Sequence, residues 1–250
     1  MKVQINDLTQ QFEQQKSQLT VLDKITFDVE DGQFVALIGP SGCGKSSLLR
    51  LLCGLATPTS GTIMLGDATP QQVASEKGIA WMSQQPALLP WRSVYANIAL
   101  AHQVNPQPEQ LRYTTVESLI NLIGLQEFSN SYPHTLSGGM QQRVMLARTL
   151  ALEAQLWLMD EPFAALDQLT REQLVNEVLR YWQRAQPTVL WVTHQIQEAV
   201  LMADRVLVMS FCPARIVADV AVNLSRPRED TSQEFQILVR CLRQAIADGM

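Results

Sequence analysis

Cysteine is scarce in this chain, and no two cysteines are spaced as a CxxC pair. The four that occur are Cys43, Cys53, Cys212 and Cys241. A disulfide framework is typical of short secreted chains, and a metal-binding cluster needs closely spaced thiols. The pattern therefore predicts free thiols in a reducing compartment.

Long apolar runs and basic clusters are also lacking. The richest apolar stretch, 48–56, is far shorter than the roughly 18–20 residues that span a bilayer, and it contains Arg50. The N-terminus has no apolar core of the kind found in signal peptides. The formal net charge is −5 and the pI is near 5.2, which argues against a nucleic-acid-binding surface. We therefore expect a cytosolic protein that does not enter a membrane by itself.

Strand patterns and helix patterns alternate along the 250 residues. That length suits one large α/β domain or two small ones. Val3, Ile5 and Leu8 predict an edge strand. Short apolar runs predict further strands at 21–30, 34–38, 61–65, 78–82, 156–159, 188–192, 205–210 and 216–222. Helical periodicity predicts helices at 45–52, 95–101, 108–123, 137–152, 169–185, 196–203 and 235–247.

This alternation predicts a mainly parallel sheet with helices on its faces. The mostly helical stretch at about 85–152 interrupts the alternation, so we interpret it as an inserted subdomain. The fold class expected from the pattern is therefore α/β.

A glycine-rich segment separates the predicted strand at 34–38 from the predicted helix at 45–52. It fits the pattern G-x-x-x-x-G-K-S/T at every fixed position and in the context that the pattern requires. Its residues are Gly39, Pro40, Ser41, Gly42, Cys43, Gly44, Lys45 and Ser46, followed by Ser47. Glycines let backbone N–H groups converge on phosphate oxygens, and the helix N-terminus adds partial positive charge. The alternative is a glycine-rich turn with a chance Lys-Ser pair, which the context disfavours.

The last residues of this loop have the chemistry of a nucleotide site. Lys45 is placed to reach the β- and γ-phosphates, and Ser46 is placed to ligate Mg²⁺. Cys43 occupies a variable position, so we interpret it as a small filler. The loop therefore predicts ATP and Mg²⁺ as cofactors.

Two carboxylates follow the predicted strand at 156–159. In sheets of this kind, ligands bind at the carboxyl ends of the strands. Asp160 is placed to hold Mg²⁺, directly or through water, and Glu161 is placed to polarise the attacking water. Solvated charges commonly end strands, but the phosphate loop upstream favours the catalytic interpretation.

The segment 136–143 reads LSGGMQQR. Ser137 is predicted to cap a helix, while Gly138 and Gly139 expose N–H groups to a second anion. In isolation the segment would indicate only a well-capped helix start. Here a phosphate loop precedes it and the Asp160-Glu161 pair follows it. The segment resembles the LSGGQ signature of ABC ATPases, with Met140 in place of glutamine, and the resemblance extends over about residues 2–225.

The resemblance implies roles for further residues. Gln84 resembles the glutamine that contacts Mg²⁺ and the attacking water, with the adjacent Gln85 as the alternative. Asp167 resembles the aspartate that organises the dimer interface, and His194 resembles the switch histidine that touches the γ-phosphate. Phe12 is the candidate for the aromatic ring that stacks on adenine, although it could instead pack an edge strand.

The resemblance also implies an architecture. The family has a P-loop NTPase fold, a RecA-like core with an antiparallel β subdomain and an inserted α-helical subdomain. The chain 1–250 would form a single ABC ATPase domain, with the helical subdomain at about 85–152. A second ABC ATPase chain would complete the sites, because two such domains hold two ATP molecules head to tail. Each site would use the phosphate loop of one chain and Ser137, Gly138 and Gly139 of the other.

The kind of ABC protein is indicated by the segment 88–94, where the permease docks in this family. Pro90 and Trp91 resemble the corresponding residues of the nitrate, sulfonate and taurine importer ATPases, as do the tail segments 213–217 and 224–228. The alternative for Trp91 is an exposed aromatic that packs the helical subdomain. The resemblance implies a separate permease and a solute-binding protein, with this chain peripheral on the cytoplasmic face of the bacterial inner membrane. The solute would be of the nitrate, sulfonate or taurine type, or a thiamine precursor.

Three other functions stay open as alternatives. The first is an exporter ATPase with a separate permease. The second is a soluble ABC protein that works on DNA or the ribosome, although such proteins usually carry two cassettes, coiled-coil insertions or basic surfaces. The third is a P-loop kinase or GTPase, which would leave the segment 136–143 unexplained.

Overall fold

A six-stranded sheet forms the centre of the computed structural model, which describes residues 1–14, 17–106 and 114–249. Its strands are β3 (Phe34–Ile38), β5 (Ile79–Met82), β6 (Leu156–Asp160), β7 (Thr188–Val192), β8 (Arg205–Met209) and β9 (Ile216–Ala221). Their order in the sheet is β5-β6-β7-β3-β8-β9. Neighbouring strands are parallel except for the antiparallel pair of β8 and β9. The mainly parallel sheet expected from the sequence is confirmed.

Both faces of the inner strands β6, β7, β3 and β8 are buried, which explains their continuous apolar runs. Side chains alternate between the two faces along each strand. On β3, for example, Phe34, Ala36 and Ile38 enter one apolar core. Val35 and Leu37 enter the other core, on the opposite face. The strands are therefore held firmly, and their carboxyl ends provide a fixed edge.

A smaller antiparallel sheet covers part of one face. It consists of β1 (Val3–Gln14), β2 (Ser17–Val29) and β4 (Ser60–Leu65), in the order β2-β1-β4. The prediction that Val3, Ile5 and Leu8 form an edge strand was wrong, because β1 pairs with β2 on one side and with β4 on the other. The pairing with β4 is non-local, so the pattern within β1 does not reveal it.

The helices lie at or near the predicted places. They are α1 (Lys45–Leu52), α2 (Pro70–Ser75), α3 (Val94–Val104), α4 (Val116–Leu122), α5 (Gly138–Leu150), α6 (Gln168–Ala185), α7 (Ile196–Met202) and α8 (Gln233–Asp248). The short α2 was not predicted. The start of the predicted helix at 108–123 lies outside the described residues, and α4 begins at Val116 after its N-cap, Thr115.

The helices α3, α4 and α5 all lie between β5 and β6 in the chain, within the stretch 85–152. Short 3-10 turns at Gln126–Phe128 and Pro133–Thr135 separate α4 from α5. Ile98, Ile120 and Leu146, one from each helix, are buried in the same apolar core. Among the described residues, no helix combines the length and the apolar character that crossing a membrane requires.

Two arginines fasten the tail of the chain to the end of α7. Arg226 binds Asp204 Oδ1 at 2.7 Å, and its guanidinium lies 4.7 Å from the centre of the Trp182 ring. Arg228 donates hydrogen bonds to backbone carbonyl oxygens at the end of α7, at Val200, Leu201 and Ala203. It also donates to the carbonyl oxygens of Val222 and Leu224, just after β9. The segment between β9 and α8 is therefore fixed by charged side chains as well as by apolar packing.

Candidate active site

The glycine-rich loop lies between β3 and α1 and against two other strands. Gly44 is the N-cap of α1 and has a φ of 109°, in the region that favours glycine. A Cβ at Gly44 would come within 2.8 Å of Cγ1 of Val21 and 2.9 Å of Cδ2 of Leu22, both on β2. A Cβ at Gly39 would lie 2.8 Å from the carbonyl oxygen of Met209, which ends β8. The shape of the loop therefore requires glycine at both positions.

Lys45, at the start of α1, turns back onto this loop. Its Nζ donates hydrogen bonds to the carbonyl oxygens of Gly39 and Pro40, each at 2.8 Å. The same atom lies 3.7 Å from Sγ of the buried Cys43. The other predicted residues of this segment lie at its exposed tip or in the first turn of α1: Ser41, Gly42, Ser46 and Ser47.

Asp160 ends β6 beside the first turn of α1. Its side chain is buried, and Ser46 forms a hydrogen bond with it. Burial raises the pKa of the Asp160 carboxyl, the Ser46 bond opposes this, and the neighbouring Glu161 charge adds to it. A buried carboxylate beside a hydroxyl is an oxygen donor set that suits Mg²⁺.

The protein itself supplies few ligands for a metal ion. The described residues hold no group of three or more histidine, cysteine, aspartate or glutamate side chains arranged to bind a metal. Mg²⁺ commonly uses one or two protein ligands and takes the others from water and from phosphate oxygens. Ser46 and Asp160 therefore fit an Mg²⁺ ion that accompanies a nucleotide.

Gln84, Glu161 and His194 meet at the carboxyl ends of three adjacent strands. Gln84 follows β5, Glu161 follows β6 and His194 follows β7. Oε2 of Glu161 lies 3.2 Å from Nε2 of Gln84 and 3.4 Å from Nδ1 of His194. Gln85, the alternative to Gln84, is exposed and has no described bond to Glu161. A carboxylate flanked by two polar groups can accept a proton from water while its neighbours orient it.

The backbone of Glu161 is in an unusual conformation. Its φ is 49°, in the left-handed region that few residues other than glycine adopt. Its N–H donates a hydrogen bond to the carbonyl oxygen of Val192 at 2.9 Å. The chain thus turns sharply at the end of β6, and the strand β7 holds this turn.

The signature segment lies at the start of α5. Ser137 is the N-cap, and its Oγ accepts a hydrogen bond from the N–H of Met140 at 3.2 Å. Gly138 faces open space, whereas a Cβ at Gly139 would lie 2.9 Å from the carbonyl oxygen of Ala165. Among the described residues, no hydrogen bond joins 137–139 to the loop 39–47.

Two other predicted residues lie on different elements. Asp167 is the N-cap of α6, where its Oδ1 accepts a hydrogen bond from the N–H of Thr170 at 3.0 Å. That bond lowers the pKa of the exposed Asp167 carboxyl. Phe12 is exposed on β1 and pairs with the exposed Leu19 on β2. β2 also lies against Gly44. Phe12 and Leu19 therefore belong to the antiparallel sheet that supports the glycine-rich loop.

Two side chains outside the predicted set, Arg171 and Gln142, connect segments that carry the site residues. Arg171 on α6 donates hydrogen bonds to the carbonyl oxygen of Leu166 at 2.8 Å and to Oε1 of Gln195 at 3.0 Å. Gln142 on α5 binds the backbone on either side of the turn after β6. Gln142 stands in the signature segment, but its burial depends on tertiary packing and has no local signal.

Comparisons with known proteins agree with this geometry. Residues 22–164 match the family model described as "ABC transporter". The chain belongs to the ABC transporter family. An uncharacterized ABC transporter ATP-binding protein of Methanocaldococcus jannaschii is 42% identical over 235 residues, which are 94% of this chain and 87% of that protein.

Two further relatives of this ABC ATPase carry the names of import proteins. The nitrate import ATP-binding protein NrtD of Synechocystis sp. is 38% identical, over 92% of this chain and 85% of its own length. The aliphatic sulfonates import ATP-binding protein SsuB of Bacillus thuringiensis is also 38% identical, over 100% of this chain and 97% of its own length. The predicted likeness to nitrate and sulfonate importer ATPases is confirmed.

Solved structures of ATP-binding cassettes share the fold of this ABC ATPase. A dimeric cassette in a post-hydrolysis state, bound to ADP and Pi, superposes with a TM-score of 0.80 at 25% identity. The match covers 89% of this chain and 100% of that one. The predicted P-loop NTPase fold is thereby confirmed.

Proposed function

We propose that this protein is the ATP-hydrolysing subunit of an ABC importer for a small solute. The observation that carries the proposal is the meeting of Gln84 and His194 at one carboxylate oxygen of Glu161. The names of relatives favour nitrate or an aliphatic sulfonate as the solute type, and the sequence resemblance adds taurine or a thiamine precursor as further candidates. Solute choice would lie in a separate permease and a solute-binding protein, with this chain peripheral on the cytoplasmic face of the bacterial inner membrane.

In this proposal, the loop 39–47 binds the phosphates of ATP through its backbone N–H groups and Lys45. Ser46, Asp160 and Gln84 would hold a Mg²⁺ ion, which would neutralise charge on the phosphate oxygens. The buried Asp160 carboxylate gains a cation partner there, which offsets the cost of its burial. Phe12 stacks on the adenine ring, and the exposed Leu19 extends that apolar surface.

Glu161 is proposed to accept a proton from the attacking water at a carboxylate oxygen. Gln84 orients this carboxylate and the water from one side. His194 contacts the carboxylate from the other side and is placed to donate a hydrogen bond to the γ-phosphate. Their positions at strand ends keep these groups rigid, so positioning rather than covalent chemistry supplies the rate enhancement.

A second copy of this ABC ATPase is proposed to complete each site. Ser137, Gly138 and Gly139 of one chain would bind the nucleotide held by the loop 39–47 of the other, and Asp167 would lie at the interface. The dimeric state of a similar cassette that is bound to ADP and Pi supports this arrangement. We treat the chain 1–250 as one ATPase domain, with about 85–152 as its helical subdomain.

The permease is proposed to dock at the segment 88–94, a loop that ends at the first residue of α3. The buried Asn97 on α3 fastens this loop through hydrogen bonds with the backbone of Leu89, Arg92 and Ser93. The loop presents Trp91, which is 70% exposed, and Pro90 beside it. A large aromatic side chain exposed on a firmly held loop is typical of an interaction site.

The ATPase proposal is tested with Glu161→Gln. The variant should bind ATP with parent affinity, accumulate as an ATP-bound dimer and lose at least about 100-fold in kcat, because the amide cannot accept the proton. Dimerisation is measured by light scattering and turnover by phosphate release. Turnover at the parent rate would remove Glu161 from the catalytic role.

The transport proposal is tested by affinity capture of tagged Glu161→Gln protein from detergent-solubilised membranes of the native host, with ATP present. A multi-span permease should be recovered, and its identity narrows the solute. Trp91→Ala should weaken that recovery while ATP binding is kept. Leu55→Ala, which truncates another exposed apolar side chain, is the control. Recovery of ribosomal or DNA-repair proteins without a permease would overturn the transport role.

A further inference from the structure

Gln142 joins the signature helix to the turn that carries Glu161. The side chain is 2% exposed. Its Nε2 donates a hydrogen bond to the carbonyl oxygen of Glu161 at 2.9 Å, and its Oε1 accepts one from the N–H of Ala165 at 2.7 Å. We infer that Gln142 is a positioning residue for Glu161, and that it links the signature segment of a chain to the catalytic carboxylate of the same chain.

A second contact brings the same face of α5 to the same turn. Gly139 lies one helical turn before Gln142, so both residues are on one side of the helix. A Cβ at Gly139 would lie 2.9 Å from the carbonyl oxygen of Ala165. The beginning of α5 therefore rests directly on the backbone of 161–165.

The backbone of Glu161 depends on such support. Its φ of 49° is costly for a residue with a side chain and persists only where surrounding groups enforce it. Val192 holds the N–H of Glu161 from β7. Gln142 holds the carbonyl group from α5. The direction of the Glu161 side chain follows from these two anchors, so the loss of one should let the carboxylate leave Gln84 and His194.

This inference rests on the proposed function. It adds a structural connection between the two ATP sites of the proposed dimer. In that dimer, Ser137 and Gly139 contact the nucleotide bound to the other chain. Gln142 connects this segment to Glu161, which acts on the nucleotide bound to its own chain. Occupancy of one site therefore biases the catalytic carboxylate of the other, and this predicts cooperative hydrolysis.

The test compares the ATPase kinetics of Gln142→Leu, Gln142→Glu and Thr149→Val. Leucine removes both hydrogen bonds, whereas glutamate keeps an acceptor for Ala165 and loses the donor to Glu161. Thr149→Val removes a buried hydrogen bond within the same helix and serves as the matched control. Both Gln142 variants should lose about tenfold or more in kcat, with the KM for ATP within about twofold of the parent.

The Hill coefficient for ATP should exceed one in the parent and fall towards one in Gln142→Leu. A kcat for Gln142→Leu within about twofold of that of Thr149→Val would overturn the positioning role. An equal Hill coefficient in the parent and in Gln142→Leu would overturn the path between sites.

A measurement without nucleotide separates this inference from the proposed function. Hydrogen exchange of the Ala165 amide, followed by NMR, should be at least about tenfold faster in Gln142→Leu and close to the parent rate in Gln142→Glu. Equal rates in the parent and in Gln142→Leu would contradict the link, whatever the ATPase activity. A parent protein that hydrolyses no ATP but shows the exchange difference would overturn the proposed function alone.

Discussion

Replacing Arg228 with methionine should lower the free energy of unfolding by about 3 kcal/mol. The arginine is half-buried, and its guanidinium donates to five backbone carbonyl oxygens around the end of α7. Methionine keeps much of the apolar stem but has no donor, so the variant removes the hydrogen bonds while it preserves packing.

The magnitude follows from the two shortest bonds. The guanidinium lies 2.6 Å from the carbonyl oxygens of Val200 and Ala203. A hydrogen bond from a charged group contributes about 1.5–3 kcal/mol net, and water can replace part of it at a half-buried position. A cation at a helix C-terminus adds about 0.3–1 kcal/mol. The three longer bonds, at 3.2 to 3.3 Å, are weaker and more easily replaced.

Thermal unfolding followed by circular dichroism measures the effect. For a domain of this size, about 1 kcal/mol corresponds to about 2–4 °C in Tm, so Arg228→Met should lower Tm by about 6–12 °C. Arg240→Met, at an exposed position on α8, is the control and should change Tm by less than about 2 °C. Equal Tm values for the two variants would refute the reasoning.

Two more predictions concern the site and its support. Burial raises the pKa of Glu198. The hydrogen bonds with Trp191 and Thr193 lower this pKa, but burial has the larger effect. The folded state therefore binds this proton more tightly than the unfolded state, and stability is lost as pH rises above the unfolded pKa of about 4.3. The Tm of Glu198→Gln relative to the parent should accordingly rise between pH 5 and pH 8; a pH-independent difference would contradict this. Lys45→Met should weaken ATP binding by about 10–100-fold in calorimetry, because charge-assisted bonds to phosphate are lost, and unchanged affinity would exclude Lys45 from the phosphate site.

Elements with a complete local pattern could be predicted closely from the sequence. The strand β3 and the helix α1 have the predicted bounds, because an apolar run, a glycine-rich loop and a helical pattern follow one another directly. The place of β1 could not be predicted, since its partner β4 lies beyond α1 in the chain. The helix α2 had a usable signal, because Thr69 and Gln72 form a capping box around Pro70 at the first turn.

In the candidate site, too, some residues could be predicted from the sequence and others could not. Glu161 could be located as a residue that follows a predicted strand, whereas Gln84 and His194 could be located only through the resemblance to ABC ATPases. Their contact also depends on the order β5-β6-β7, which joins strands separated by the whole of α3, α4 and α5. The roles of Gln142 and Arg228 could not be predicted, because each side chain binds backbone atoms of a remote segment and such bonds leave no local pattern.

The bonds between Lys45 and its own loop also bear on how tightly the protein holds its nucleotide. The ammonium group already has two carbonyl partners, on Gly39 and Pro40. In the proposed function, a phosphate bound at Lys45 would replace these partners. The free energy gained would then be a difference between two sets of bonds and not the full strength of the new set. The affinity for nucleotide would thereby be moderated, which would favour the release of ADP.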